Sequence, residues 1–171
     1  KTNSGTLILS GNNTYSGATN INGGTLSISA DNNLGSAPAV ATPNRLTFNG
    51  GTLASTASFT LNANRGVTLN PGGGTFNTAP GTTLTYGGIL TGTGALTKTN
   101  SGTLILSGNN TYSGATNINA GTLQVIGGNA IGDASAVVLA NVAGALFDLN
   151  DTNETIGSLA GGGAAGGNVT L

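Results

Sequence analysis

Carboxylates are the side chains of this sequence with the clearest capacity for chemistry, and they cluster in one place. Asp148, Asp151 and Glu154 lie in the short segment that runs from Phe147 to Glu154. Paired carboxylates can hydrolyse glycosides or bind Ca²⁺. The segment lacks the repeated Gly-Gly-x-Gly-x-Asp pattern of calcium-binding β-rolls and the glycine at the sixth position of an EF-hand loop. The pattern therefore favours ordinary turn residues, and we predict no catalytic residue, no cofactor and no metal ligand.

One of these carboxylates carries a structural expectation. Asp148 continues the alternation that starts at Leu146, and if Leu146 faces the interior, Asp148 would face it as well. A carboxylate in an apolar interior is unfavourable. The sequence therefore predicts a β-bulge or a register shift at this point.

Two tyrosines and one glycine-rich run are the other candidate sites. Tyr15 and Tyr112 recur at the same place of a duplicated segment, and a surface row of aromatic rings could bind sugars. Duplication alone explains the recurrence, so a packing or corner-covering role is favoured. The glycine-rich run 161–167 lacks the Lys-Ser/Thr ending and the following helix of a phosphate-binding loop, so it indicates a corner or a connection.

Composition removes several classes of chemistry. The chain has no His and no Cys, so the commonest general base, disulfides and cysteine-ligated zinc are all unavailable to it. The net charge of −1 gives no support to a nucleic-acid partner. Charge is unevenly placed, because residues 1–132 hold four basic residues and one Asp, whereas residues 133–171 hold four acidic residues and no basic one. We interpret the acidic part as a solvated, turn-rich region.

The segment from Lys1 to Asn22 returns unchanged from Lys98 to Asn119. A catalytic site needs one set of residues, whereas a rod needs many equivalent courses. The duplication therefore indicates a structural repeat. Within it, Leu7 and Leu9, like Leu104 and Leu106, alternate with polar or β-branched residues and are expected on an inner face.

Tight corners separate the short strands. Asn12-Asn13 and Asn109-Asn110 are the best candidates for an equivalent corner, since Asn tolerates the left-handed conformation and can form polar ladders. Residues 30–44 contain Pro38 and Pro43 and predict a loop that bulges out of the regular structure.

The spacing of one short motif predicts the architecture. Gly followed by Thr or Ala and then Leu or Phe starts at Gly5, Gly24, Gly51, Gly74, Gly94, Gly102, Gly121 and Gly144. Most intervals are close to 20 residues, the path of one coil with three short strands, and the interval between Gly94 and Gly102 fits a step to the next face. We predict an all-β parallel β-helix of seven or eight coils, about 35 to 40 Å long.

The run from Ala95 through KTNSGTLILSGNNTYSGATNINAGTLQV to Val125 resembles the passenger-associated transport repeat of Gram-negative type V secretion proteins, also called the autotransporter-associated β-strand repeat. Copies cover residues 1–29 and 95–125, and residues 46–94 and 126–171 are similar to diverged coils. The resemblance implies a right-handed parallel β-helix. It also implies that residues 1–171 are one β-helix segment of a longer autotransporter passenger.

The resemblance implies a structural stalk that assists its own folding and secretion and displays adhesive or effector parts at the cell surface or outer membrane, or after release. The implied partners are a C-terminal outer-membrane β-barrel of the same polypeptide and host or neighbouring-cell surface molecules. Exposed edges at both ends also predict end-to-end self-association.

Two alternatives remain open. One is a binding solenoid, either an adhesin or an ice-binding surface, for which Thr91-Gly92-Thr93 and Thr97-Lys98-Thr99 are the only indications of threonine rows. The other is a β-helical polysaccharide-degrading enzyme, since that architecture carries such activities.

Overall fold

The alternation of apolar and polar residues produces a solenoid of short strands. The computed structural model describes all 171 residues, which form eighteen strands and one 3₁₀ turn, Asp31–Leu34. Every strand pair is parallel and joins strands of successive coils, as the sequence predicted, and the strands inside each sheet pair on both sides. The largest sheet contains eight strands, which gives a β-solenoid of about eight turns.

The strands belong to three sheets. Sheet A consists of β1 (Thr6–Leu9), β3 (Thr25–Ile28), β5 (Gly51–Ser55), β8 (Gly74–Thr78), β11 (Leu96–Thr99), β13 (Thr116–Ile118), β15 (Ala136–Leu139) and β17 (Ser158–Gly161). Sheet B consists of β2 (Thr19–Ile21), β4 (Thr42–Phe48), β7 (Arg65–Leu69) and β10 (Leu90–Gly92). Sheet C consists of β6 (Phe59–Leu61), β9 (Thr83–Tyr86), β12 (Thr103–Leu106), β14 (Thr122–Val125), β16 (Leu146–Asp148) and β18 (Asn168–Thr170).

Alternate residues of each strand fill one continuous core. On sheet C, Leu84, Leu104, Leu123 and Phe147 are paired in register and buried. The intervening positions of sheet A form an outward column of threonines, namely Thr6, Thr25, Thr52, Thr75 and Thr97. Burial of one apolar column by the next stabilises each coil only when a neighbouring coil is present.

The coils differ in length. Register pairs Thr6 with Thr25 and Thr25 with Thr52, so these two coils contain 19 and 27 residues. The longer coil holds the predicted loop, which includes the 3₁₀ turn and ends where β4 begins at Thr42. The pairing of β4 with β7 contains the only register irregularity between paired strands, and it lies between Thr42 and Leu46.

The two identical copies occupy different faces of the solenoid. In the first copy, β1 lies in sheet A and β2 in sheet B, whereas in the second copy β12 lies in sheet C and β13 in sheet A. The second copy is therefore rotated by one face around the solenoid axis. The 8-residue step from Gly94 to Gly102 does lead from one face to the next, because β11 belongs to sheet A and β12 to sheet C.

The paired asparagines do not use the left-handed conformation that Asn tolerates. The non-glycine residues with positive φ are Asn44, Asn100, Asn150 and Asp151, so neither Asn12-Asn13 nor Asn109-Asn110 adopts it. These asparagines instead use their amide groups to connect coils, as described below. A hydrogen bond to the next coil does not require a left-handed backbone.

Candidate functional site

The carboxylates proposed from the sequence do not form a metal cluster. No group of three or more His, Cys, Asp or Glu side chains is arranged to hold a metal ion. Asp148 faces outward from sheet C, where it accepts hydrogen bonds from the Gln124 side chain at 2.6 Å and the Asn150 amide at 3.0 Å. Desolvation raises the pKa of Asp148, but these bonds and one from Thr170 outweigh it, and the pKa lies below its ordinary value. Asp148 is thus held as a structural anion.

The predicted bulge at Asp148 is absent. Phe147 faces the interior and is 2% exposed, whereas Leu146 and Asp148 are outward and pair in register with Thr122 and Gln124. The error was to assign Leu146 to the inner face. Phe147 is larger and aromatic, and its burial sets the orientation of β16 without any register shift.

Glu154 closes a turn of the preceding coil. Its carboxylate accepts the backbone amides of Ala130 at 3.0 Å and Ile131 at 2.9 Å. Burial raises the pKa of Glu154, although both hydrogen bonds favour the ionised form. Asp151 lies in the turn after β16 with a φ of 55°. The hydrogen bonds of Asp148 and Glu154 thus attach them to different segments and not to each other.

Tyr112 is directed to the core, so Tyr15 and Tyr112 do not form a surface row of aromatic rings. Tyr112 is 1% exposed, and its hydroxyl lies 2.6 Å from the hydroxyl of Thr116. Tyr15 makes the equivalent contact with Thr19 at 2.9 Å and is 38% exposed. The packing role expected for Tyr112 is confirmed.

The threonine rows expected for an ice-binding face are one residue wide. Thr91 belongs to sheet B and Thr97 to sheet A, so the two indicated rows are not on one face. On sheet A, the outward position two residues beyond the threonine column is occupied by Ile8, Ser27, Ala54, Asn77 and Thr99. This mixed composition does not favour a regular two-row Thr-x-Thr surface.

A buried lysine is the main feature that the sequence interpretation missed. Lys98 is fully buried, and its ammonium group donates to the carbonyl oxygens of Thr99 at 2.9 Å, Asn100 at 2.7 Å and Ala120 at 3.1 Å. The absence of a side chain at Gly121 leaves the space that the ammonium occupies. We call Lys98, these three carbonyls and Gly121 the lysine seat.

The first copy contains an equivalent of the lysine seat. Lys1 donates to the carbonyl oxygens of Asn3 and Gly23, which correspond by position to Asn100 and Ala120. Gly24 has a φ of 61° and Gly121 a φ of 66°. The signal in the sequence was therefore available, since the same Lys precedes the same turn in both copies.

The paired asparagines connect coils. Asn110 is 5% exposed, accepts from the Leu90 amide at 2.7 Å and donates to the Ala130 carbonyl at 2.6 Å, so one side chain joins three successive coils. Asn13 makes the equivalent contact with the following coil, because its side-chain amide donates to the Asn33 carbonyl at 2.8 Å. The residues shared by both copies are thus used for contacts between coils.

The inserted loop is attached to the solenoid by a buried arginine. Arg65 is 2% exposed and contacts Asp31 through Nε at 2.8 Å. It also donates to the carbonyls of Leu34 at 3.0 Å and Gly35 at 2.6 Å. These bonds satisfy the guanidinium and fix the longest coil in place.

Three concave regions are present. A polar groove of about 380 Å³ lies beside Asn109, Tyr112, Asn129 and Asp133. A smaller apolar slot of about 130 Å³ lies on the outer side of sheet B, and a cavity of about 330 Å³ opens at the β1 end. The chain has no helix with the length and apolar character needed to cross a membrane.

Comparison with known proteins connects the duplicated segments to a family. The family model described as the passenger-associated-transport-repeat matches residues 1–28 and 96–125. The chain is 42% identical over 166 residues to a protein named adhesin BmaC autotransporter, from Brucella suis biovar 1 (strain 1330). That match covers 94% of the chain but only 5% of the relative. No solved structure matches significantly. Two segments of the chain therefore match the passenger-associated-transport-repeat, and nearly the whole chain is similar to a short part of an autotransporter adhesin.

Proposed function

We propose that this chain is a stalk segment of a Gram-negative autotransporter passenger, which assists its own folding and secretion and holds adhesive or effector parts away from the outer membrane. The observation that carries this proposal is the reuse of the same inter-coil contacts in both copies. Lys1 and Lys98 bind equivalent corner carbonyls, and Asn13 and Asn110 bind equivalent carbonyls of the next coil. Residues repeated for stacking suit a rod.

The remaining parts of the proposal follow from the family. Residues 1–171 form one β-helix segment of a longer passenger, with diverged coils at 46–94 and 126–171. Its partner within the same polypeptide is the C-terminal outer-membrane barrel, and the segment itself performs no catalysis and requires no cofactor. The autotransporter relative supports a location at the cell surface or outer membrane.

A second candidate function is adhesion by the segment itself, to molecules on a host or neighbouring cell. The name of the relative, an adhesin, favours it. The relative is far longer than the matched region, and its name does not assign adhesion to that region. The two candidates therefore require a test that separates display from binding.

The test removes one coil from the full-length autotransporter. Thr97 pairs with Asn117 in sheet A, so deletion of residues 98–117 removes one coil and keeps the following coils in register. We expect normal surface display, measured with an antibody to a distal epitope, and adhesion within about twofold of the parent, because quasi-one-dimensional stacking tolerates loss of a unit. Normal display with loss of adhesion would favour the second candidate.

A matched deletion tests the role in secretion. Removing residues 98–107 takes out about half a coil, so that the strands which follow can no longer face their partners. If folding of the solenoid assists passage to the surface, this variant should show at least about tenfold less displayed passenger than the whole-coil deletion. Equal display of the two variants would contradict the secretion role.

A further inference from the structure

One corner of the solenoid carries the dipeptide Asn-Gly in two successive coils, and the chain contains this dipeptide nowhere else. The two copies are Asn22-Gly23, which follows β2, and Asn49-Gly50, which follows β4. The Asn22 amide donates to the Lys1 carbonyl of the preceding coil at 2.7 Å. The Asn49 amide in turn donates to the Ile21 carbonyl at 3.0 Å. The corner at Asn22 therefore has a neighbouring coil of this chain on both sides, and both asparagines are exposed to solvent.

Asparagine followed by glycine has a specific reactivity. The backbone nitrogen of the glycine, once it has lost its proton to hydroxide, attacks Cγ of the asparagine and closes a cyclic imide. The side-chain nitrogen takes up a proton from water and leaves as ammonia. Water then opens the imide at either carbonyl and gives Asp or isoaspartate, so that water is consumed, ammonia is released and nothing is oxidised or reduced. Glycine favours the attack because it has no Cβ to crowd the nitrogen.

Hydrogen bonds to the next coil distinguish the two dipeptides. The Gly50 amide donates to the Gly73 carbonyl at 2.8 Å. The side-chain oxygen Oδ1 of Asn49 accepts the Gly72 amide at 2.9 Å. Both groups that must react at Asn49 are therefore held in place. The Gly23 amide, in contrast, donates to no acceptor of the chain, so its nitrogen is free to react.

The second copy of the repeat provides a natural comparison. Asn119 follows the same residues as Asn22, but Ala120 stands where the first copy has Gly23. The Ala120 amide also donates to no acceptor of the chain. In both corners a lysine ammonium donates to the carbonyl of this same residue, at 3.1 Å in the second copy and 3.2 Å in the first, and a nearby cation favours the deprotonated nitrogen. The two corners thus differ in the Cβ of one residue.

We propose that Asn22 is a site of spontaneous deamidation, which converts to Asp or isoaspartate in the folded passenger while Asn49 and Asn119 remain asparagine. The conversion adds a negative charge near the Lys1 ammonium, and isoaspartate also lengthens the backbone of the corner. Because the change accumulates with time, it marks the age of a passenger, which goes beyond the stalk role.

Ageing of the folded passenger at mildly alkaline pH, followed by unfolding and digestion with trypsin, tests the proposal. The three asparagines lie in different tryptic peptides, namely residues 2–45, residues 46–65 and the peptide that begins at Thr99. Tandem mass spectrometry measures the conversion of each residue. Asn22 should convert at least about tenfold faster than Asn49, because two hydrogen bonds must open before Asn49 reacts. It should exceed Asn119 by at least about tenfold as well, because the alanine Cβ crowds the attack.

A denatured sample and one variant provide the controls. In urea the advantage of Asn22 over Asn49 should disappear, since the hydrogen bonds are lost and glycine follows both residues. Ala120→Gly gives the second corner the sequence of the first, so Asn119 should then convert at a rate close to that of Asn22. Equal conversion of Asn22 and Asn49 in the folded passenger, an advantage of Asn22 that persists in urea, or an unreactive Asn119 in the variant would overturn the proposal.

Discussion

Lys98 places a positive charge in the interior without an ion pair. The one salt bridge of the chain joins Arg65 to Asp31, and the Lys98 ammonium is satisfied only by the three carbonyl oxygens of the lysine seat. Carbonyl groups at a corner need donors, because they have left the strand ladder. The lysine therefore connects its own corner to the corner of the next coil, at the expense of desolvating its charge.

This balance predicts an unusual dependence of stability on pH. Burial lowers the pKa of Lys98 from its ordinary value of 10.5 to about 8. Between these values the unfolded chain binds a proton that the folded chain has released, so the free energy of unfolding rises with pH. One proton limits the slope to about 1.4 kcal/mol per pH unit. Urea unfolding of the parent between pH 8 and 10 should show this rise.

The variant Lys98→Met supplies the comparison, because it keeps the length of the side chain and removes the titration. Its unfolding free energy should lack the rise between pH 8 and 10, and parallel curves for the two proteins would contradict the assignment. Above pH 10 both proteins should lose stability. Burial raises the pKa of Tyr112 to about 12, so this phenol ionises in the unfolded chain before it ionises in the folded one.

The lysine seat also shows what residue types alone can predict. Both copies of the duplicated sequence contain the lysine, the turn and the glycine. These residues were sufficient to identify the repeat, but they did not indicate a role for the lysine. A charged residue is usually assigned to the surface. Its burial depends on three backbone carbonyls from two coils, and only the completed stack brings these together.

At the scale of elements, strand orientation is the property that sequence predicts best. The alternation correctly assigned Leu104 and Leu106 to the interior, and both are fully buried. The same reasoning failed at β16, because Leu146 and Phe147 are adjacent apolar residues and either could face inward. Where two adjacent residues are both apolar, packing against the neighbouring coils determines which of them faces the interior. Here Phe147 does, and it pairs with Leu123 of the preceding coil.

The inward orientation of a side chain and its burial by a neighbouring coil contribute separately to the free energy of unfolding. The duplicated segment allows the two contributions to be measured. Leu104→Asp puts a carboxylate into a fully buried position and should lower the free energy of unfolding by at least about 3 kcal/mol. Leu7→Asp changes the same residue in the same sequence, but Leu7 is 44% exposed, so less than about half of that loss is expected.

Ile105→Asp is the control for strand disruption, since Ile105 follows Leu104 on β12 but pairs on the outer side with Thr85 and Gln124. It should cost less than about 1 kcal/mol. All three variants can be compared in urea melts of the whole chain. Equal losses for Leu104→Asp and Ile105→Asp would show that the interior column is not where the structure places it.

At the scale of the whole molecule, coil length determines which face each copy occupies. The coils of sheet A vary, for example from 19 residues between Thr6 and Thr25 to 27 between Thr25 and Thr52. The 97 residues between the copies therefore do not amount to a whole number of turns, and the second copy begins one face further on. The 8-residue interval from Gly94 to Gly102 indicated this step in the sequence, but the size of each coil, such as the one that contains the loop held by Arg65, became clear only from the strand register.

The rotation leaves the contacts of the repeat intact but changes its surroundings, and this leads to a prediction for local stability. Within residues 1–171 taken alone, β1 has a strand partner on one side only, whereas β12 of the second copy has partners on both sides. In a quasi-one-dimensional stack, end coils open more easily than internal ones. Backbone amides of residues 6–9 should therefore exchange with solvent at least about tenfold faster than those of residues 103–106.

Identical sequence makes this comparison direct, because intrinsic exchange rates depend on neighbouring side chains and are equal for the two strands, Thr6–Leu9 and Thr103–Leu106. NMR-detected exchange reports each amide separately, whereas peptides cut from the two copies would have the same mass. Faster exchange in the first copy measures the stabilisation that one covering coil provides. Equal protection of both strands would mean that the solenoid opens only as a single cooperative unit, contrary to stacking of semi-independent coils.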